Sequence, residues 1–182
     1  MVIFHKITWR NFLSTGNTPI EINLRESPTT LIIGKNGSGK STILDALCFA
    51  LFNKPYRIIK KDQMINTINN ADSIVEVYFS IGPKAYKVRR GIKPNIFEIY
   101  QNGEMINQDA TIADYQKMLE QQILKFNYRS FTQVVILGSS TFVPFMELRT
   151  SHRREVVEDI LDIKIFSVMQ MLAKIRIKEQ EE

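Results

Sequence analysis

The chain is poor in the residues that build redox, metal and membrane sites. One of its 182 residues is cysteine, Cys48, and two are histidine, His5 and His152. A lone cysteine excludes a disulfide framework and a cysteine-based metal centre. Set among apolar residues of a predicted helix, Cys48 reads as a small core residue. The two histidines are far apart in sequence and suggest no metal cluster. No apolar run approaches the roughly 20 residues a membrane helix needs, so no membrane partner is expected. The start, Met1-Val2-Ile3-Phe4-His5-Lys6, lacks the layout of a secretory signal. Together these absences predict an intracellular, cytoplasmic protein. Glycine is scarce too, at eight residues, yet three of them stand at 34, 37 and 39.

That cluster belongs to Gly34-Lys35-Asn36-Gly37-Ser38-Gly39-Lys40-Ser41, which matches the phosphate-binding loop G-x-x-x-x-G-K-[ST]. The flanks suit the motif. Thr29 to Ile33 reads as a short strand entering the loop, and residues 40–52 read as a helix leaving it. Glycines let the backbone turn its N–H groups inward to form an anion-binding concavity. The N-terminus of the helix adds free N–H groups and a positive dipole end. Gly34, Asn36, Gly37, Ser38, Gly39 and Thr42 are therefore candidate nucleotide contacts, with Lys40 on the β/γ-phosphates and Ser41 as the Mg²⁺ ligand. A single hydroxyl suits Mg²⁺, which takes few protein ligands beside phosphate and water. The expected cofactors are ATP and Mg²⁺.

The net charge is +5, from 24 basic and 19 acidic residues. Lys60-Lys61, Arg89-Arg90 and Arg153-Arg154 stand out as pairs. Any one pair reads as solvated surface; together they permit a polyanionic partner.

Elsewhere, residues 3–9 and 19–24 alternate as an antiparallel strand pair. Ser73–Ile81, Ala85–Arg90 and Ile96–Tyr100 form a meander, with Asn102-Gly103 as a hairpin turn. A helix is predicted from Thr111 to Leu124, with Ile112, Tyr115, Leu119 and Ile123 on one stripe. Phe131–Leu137 reads as a buried strand, and Thr150 opens one long helix. Near the end, Leu161, Ile165, Val168, Leu172 and Ile175 are spaced 4, 3, 4, 3. A coiled-coil seam and an ordinary amphipathic helix both fit this spacing.

One part of an ATPase is not found. Hydrolysis requires an acidic residue at the end of an apolar strand to hold Mg²⁺ and position water. Val134–Leu137 ends in Gly138, Val156-Val157-Glu158-Asp159 lies on a helical pattern, and Ile74-Val75-Glu76 belongs to the meander. Leu137-Gly138-Ser139-Ser140 lacks the Gly-Gly of an ATP-sandwich signature. The loop and the unfinished seam together suggest an N-terminal lobe whose other half lies further along a longer chain.

Four stretches carry a resemblance to a known family. Ile7-Thr8-Trp9-Arg10-Asn11-Phe12, the loop from Gly34 to Thr42, Leu44 to Phe52, and Phe131–Phe145 leading into Arg153–Leu161 resemble the N-terminal lobe of SbcC-type DNA repair ATPases. These are the large subunits of Mre–Rad nuclease complexes, related to SMC proteins, and the phage members are nearest in look. The resemblance implies an α/β P-loop head of the ABC/SMC type with mixed sheets. It places the N-terminal lobe at residues 1–162 and the first turns of a coiled-coil helix at 163–182. It further implies ATPase activity once a C-terminal lobe is present, with this lobe alone inactive, and two heads sandwiching ATP. A metallonuclease partner would dock near the coiled-coil base after Ile163, with double-stranded DNA across the heads. Arg10 and Asn11 would lie close to the nucleotide. Family members carry a glutamine in a loop after the Phe131-type strand; a gap-free reading puts Ser139 there, as a hydroxyl substitute near Mg²⁺ or in a remodelled loop, while Gln133 lies six residues too early. The rival readings are a self-contained P-loop kinase or hydrolase, for which no acidic strand end or lid is found, and an SMC-like structural clamp.

Overall fold

A computed structural model describes residues 2–106, 111–136, 143–161 and 163–181. The chain divides into two units, residues 1–119 and 120–182.

The first unit is built on one antiparallel sheet in the order β2-β1-β3-β4-β5-β6. Its strands are β1 Val2–Arg10, β2 Ile20–Asn23, β3 Ser73–Ile81, β4 Lys84–Ile92, β5 Ile96–Gln101 and β6 Glu104–Met105. Alternation explains the sheet. Successive side chains point to opposite faces, so Ile7 and Trp9, Val75, Val77 and Phe79, Val88, and Ile99 line one buried face. Register holds them together: Val77 sits opposite both Ile7 and Val88, and Val88 opposite Ile99. Each fully buried residue of this kind contributes about 1.5–3 kcal/mol. The other face is polar, with Thr8 opposite Glu76, Glu76 opposite Arg89, and Arg89 opposite Glu98. The Asn102-Gly103 turn forms as expected, both residues at positive φ.

Helix α1, Thr42–Phe52, packs against β1, β3 and β4. Residues 45–52 are all buried, as an apolar surface running nearly all round predicts. Asn53 ends the helix in the left-handed conformation, its N–H bonded to Phe49 O. Within this unit α2 covers Ile112–Lys117, capped by the Thr111 hydroxyl. Residues 118–124 then continue as a π-helical turn. The wider turn changes the expected stripe: Tyr115, Leu119 and Leu124 are buried, whereas Ile112 is exposed and Ile123 is not buried.

Three expectations fail. Residues 29–33 form no strand: they are exposed coil, with Leu31 81% and Ile33 83% exposed. A strand needs a ladder partner, and none is present among the described residues. Phe131–Leu137 is not a strand either. Its described part lies in helix α3, Tyr128–Val134, and the two residues that follow; Leu137 lies outside the described residues. The Asn127 side chain caps α3 by accepting from Ser130 N at 3.0 Å. A short apolar run does not by itself separate strand from helix. Here Val134 and Val135 are exposed while Phe131 and Ile136 are buried. Gln133 is thus a helical residue. Finally, the long helix is two: α4 Thr150–Ile160 and α5 Lys164–Glu181. Leu161 caps α4, and Ile163 N reaches back to Glu158 O, a step too long to continue the helix.

In the second unit, α3 and α4 are joined by polar contacts. Glu155 accepts from Asn127 Nδ2 at 2.6 Å and pairs with Arg129, and the Ser130 hydroxyl donates to Asp159. Phe126 and Phe131 stack at 5.7 Å. On α5 the seam residues Ile165, Val168, Leu172 and Ile175 are exposed, as are Phe166, Met169 and Met171.

Candidate functional site

The phosphate loop folds as its glycines require. Gly37 and Gly39 have φ of 83° and 91°, a region L side chains rarely adopt. At Gly34 a Cβ would lie 2.6 Å from Ser38 Oγ. The loop runs into α1 through Ser41, which stands at the N-cap position but makes no side-chain capping bond, so its hydroxyl is not spent on the helix. Lys40 folds back on the loop, its Nζ donating to Gly34 O at 2.7 Å and Lys35 O at 2.8 Å.

These residues open on a cavity of about 550 Å³. Of the residues expected from sequence, Asn36, Gly37, Gly39, Lys40, Ser41 and Thr42 line it. Gly34 and Ser38 belong to the loop without lining the cavity. Arg10 and Asn11 do not line it either. Asn11 is buried and bonded throughout: its Nδ2 donates to Asn17 Oδ1 at 3.2 Å, and its Oδ1 accepts from Asn69 Nδ2 at 2.6 Å. Its backbone O accepts from Asn66 N at 2.9 Å. Asn11 therefore ties the loop after β1 to residues 66–72. Ser139 lies outside the described residues.

The opposite wall was not legible in sequence. Residues 56–70 read as polar and irregular, yet they supply Arg57, Gln63, Ile65 and Thr67 to the cavity. A short 3₁₀ turn, Lys61–Met64, and a bridge between Phe12 and Ile65 hold this stretch in place. Leu13 N also donates to Met64 O at 2.7 Å. Lys40 and Arg57 are cations, and among the described residues no carboxylate lines the cavity. The one available signal was Asp45, a lone acid in an otherwise apolar helix. It is 0% exposed and binds Arg57.

The basic pairs fare unequally. Lys60 and Lys61 are exposed. Arg89 pairs with Glu76 and Glu98. Arg90 is buried, its Nε donating to Ala50 O at 2.9 Å, with the guanidinium over the Phe97 ring. It is therefore removed as a candidate for a polyanion. Arg153 caps Met146 O, and Arg154 pairs with Glu158.

Burial is the leading cause of two shifts. Burial, then the hydroxyl bond to Glu76, push Tyr78 up to about 12. Burial and the neighbouring Asp45 push the Cys48 thiol up, in keeping with an inert core residue.

A glycine cradle, a lysine and a hydroxyl at the head of a buried helix, carried beside an antiparallel sheet, make a fold like that of an SMC/Rad50 ATPase head. The sequence comparisons agree. Residues 6–182 match the family described as AAA domain, and the chain belongs to that family. It is 41% identical over 175 residues to exonuclease subunit 2 of Escherichia phage RB69, covering 96% of this chain and 31% of that protein. Against exonuclease subunit 2 of Enterobacteria phage T4 it is 42% identical over 170 residues, covering 93% and 30%. It is 28% identical over 179 residues to the DNA double-strand break repair Rad50 ATPase of Thermoplasma volcanium, covering 95% and 19%. The chain thus spans less than a third of the length of these relatives. In structure it is similar to the Smc head domain from Pyrococcus furiosus, solved with an extended coiled coil, at a TM-score of 0.63 and 22% identity. That alignment covers 100% of this chain and 47% of that one, and it shows the fold.

Proposed function

We propose that the chain is the ATP- and Mg²⁺-binding lobe of an ATPase that serves a DNA repair nuclease. The observation that carries this reading is the cavity where loop amides, Lys40 and Ser41 converge. The residues present fit the nucleotide. Lys40 holds two backbone carbonyls that phosphate oxygens would replace, and the Ser41 hydroxyl is left for a cation. Bound Mg²⁺ would neutralise charge on the β/γ-phosphates. Lys40 would neutralise more, and the amides would fix the phosphate tail.

The exposed run Leu31-Ile32-Ile33 supports a composite site, with its ladder partners and the catalytic acid coming from a C-terminal lobe. A second head, joined on ATP, would complete the site. The exposed apolar seam of α5 supports a coiled coil from about residue 163. A groove between α4 and α5, lined by Phe145, Met146, Val157 and Phe166, supports docking of a metallonuclease subunit there. Double-stranded DNA is the proposed substrate of that assembly, and the ATP state of the heads would gate it. The relatives named exonuclease subunit 2 and Rad50 ATPase support this assignment.

The test is titration of the 182-residue chain with Mg·ATP, followed by a turnover assay. Binding that Lys40→Ala weakens on the order of a hundredfold, with no sustained hydrolysis, is expected. Robust turnover by the chain alone, lost in Lys40→Ala, would contradict the composite site.

A further inference from the structure

Leu13 stands in an uncommon backbone conformation. Its φ is 54°, the left-handed region, which a bulky apolar residue rarely adopts. Asn11, Asn70 and Asp72 are also left-handed, at φ of 49°, 47° and 50°, but Asn and Asp tolerate that region. Leu13 is the strained one of the four, and it is the one that lines the phosphate-loop cavity. Strain of this kind persists only where the surrounding structure imposes it.

The imposing residues are Met64 and Asn66. Leu13 N donates to Met64 O at 2.7 Å, and Leu13 O accepts from Asn66 Nδ2 at 3.3 Å, so one short segment holds both backbone groups of Leu13. Asn66 is 6% exposed and does not line the cavity, although its neighbours Ile65 and Thr67 do. Its Oδ1 accepts from Ile68 N at 3.0 Å and from Asn69 N at 3.1 Å. Two N–H groups on that side require the carbonyl there, which leaves the amide to face Leu13 O. Asn66 N donates to Asn11 O at 2.9 Å, and Asn66 O accepts from Asn70 N at 2.8 Å. These bonds join the loop after β1 to the segment after α1 from behind the cavity, and none of them goes to residues 34–42.

The cavity lining is of two kinds. Residues 36–42 of the phosphate loop bring amides, a charge and hydroxyls, whereas Leu13 and Ile65 are its two aliphatic side chains. The bridge between Phe12 and Ile65 brings the two pieces of chain together. An aliphatic patch offers nothing to a phosphate; it suits the flat, apolar face of a ring. A residue less strained than leucine at position 13 would give an easier turn and lose half of that patch.

We propose that Asn66 is a positioning residue of the nucleotide site: it holds Leu13 in the left-handed conformation, so that Leu13 and Ile65 present one patch to the nucleoside part of the ligand. This rests on the reading of the cavity as a nucleotide site. The clasp acts on the nucleoside and not on the phosphates, which the loop and Lys40 hold independently.

The experiment titrates the 182-residue chain with Mg·ATP and, separately, with Mg·tripolyphosphate, which has no base or ribose. Asn66→Ser keeps an acceptor for Ile68 N but is too short to reach Leu13 O. It should weaken ATP by about tenfold, the worth of one buried aliphatic contact, and leave tripolyphosphate within about twofold. Leu13→Gly adopts the same φ without strain and lacks the side chain, so it should melt near the wild type and show the same split. The double variant should lose little more than either single one, because both remove the same contact. Equal losses for the two ligands in Asn66→Ser would make Asn66 merely structural and overturn the proposal. So would unchanged ATP affinity in Leu13→Gly, or losses that add in full in the double variant. If Lys40→Ala leaves both affinities unchanged, the nucleotide site itself fails; if Lys40→Ala weakens both ligands and the variants at 13 and 66 alter neither, only the present inference fails.

Discussion

The two flanks of the phosphate loop differ sharply. After it, α1 is sealed: residues 45–52 are buried against the sheet, and Phe49 stacks on Phe12 at 5.5 Å. Before it, Leu31, Ile32 and Ile33 are an equally apolar run, yet they lie open to solvent. One flank satisfies its hydrophobic groups locally, because helix hydrogen bonds are internal and the sheet β1-β3-β4 offers a surface. The other reads as a strand, whose backbone bonds must come from a neighbour. The loop's chemistry depends on both. The helix supplies its amides and dipole, and the strand would fix where the loop begins.

Substitutions on the two sides sharpen this contrast. Phe49→Ala should cost about 3–5 kcal/mol, because the fully buried ring leaves a cavity; thermal or urea unfolding measures it. Ile33→Ala, just as apolar, should change the stability of this chain by no more than about 0.5 kcal/mol. A large loss at Ile33 would break the comparison. On the ligand side, Lys40→Ala should weaken ATP by about 3 kcal/mol, on the order of a hundredfold, since it removes a charged donor from the phosphates; calorimetric titration reads it.

The polar face of the sheet gives a smaller effect, dependent on pH. Tyr78 is raised from 10.0 to about 12, first by burial and then by its bond to Glu76. A raised folded value means the neutral phenol is favoured by folding. Its contribution is complete below pH 10 and is lost as pH rises through about 12. Tyr78→Phe should flatten the fall in stability across that window, read by unfolding at a series of pH values. The smallest change expected is Asn53→Gly at the left-handed end of α1, which should gain a few tenths of a kcal/mol, or about 1–2 °C in Tm.

Much of the first unit was legible because it obeys local rules. The alternation of Ile7 and Trp9, of Val75 to Phe79 and of Val88 specified the sheet, and Asn102-Gly103 specified its last turn. The glycine loop specified the helix-side half of the site. What escaped had no local signature. Thr29–Ile33 has strand composition, but a strand exists only with a partner. Phe131–Leu137 was apolar in either conformation, and the Asn127 cap that decides for helix lies four residues upstream of Phe131. No glycine or proline marks the break between α4 and α5. The far wall of the cavity was hidden because Arg57, Gln63 and Thr67 are ordinary polar residues until folding carries them opposite Lys40. Asn11 shows the converse: a residue expected near the nucleotide is bonded to Asn17 and Asn69 and shapes the wall from behind.

We propose that the first unit holds phosphate from the helix side of the loop, while the strand side takes its ladder partner from elsewhere. Amide hydrogen exchange of the 182-residue chain, with and without Mg·ATP, tests it most directly. Residues 46–52 should be protected in both states, residues 36–42 should gain protection with Mg·ATP, and residues 31–33 should exchange at coil rates throughout. Protection of residues 31–33 matching that of α1, in either state, would contradict the account.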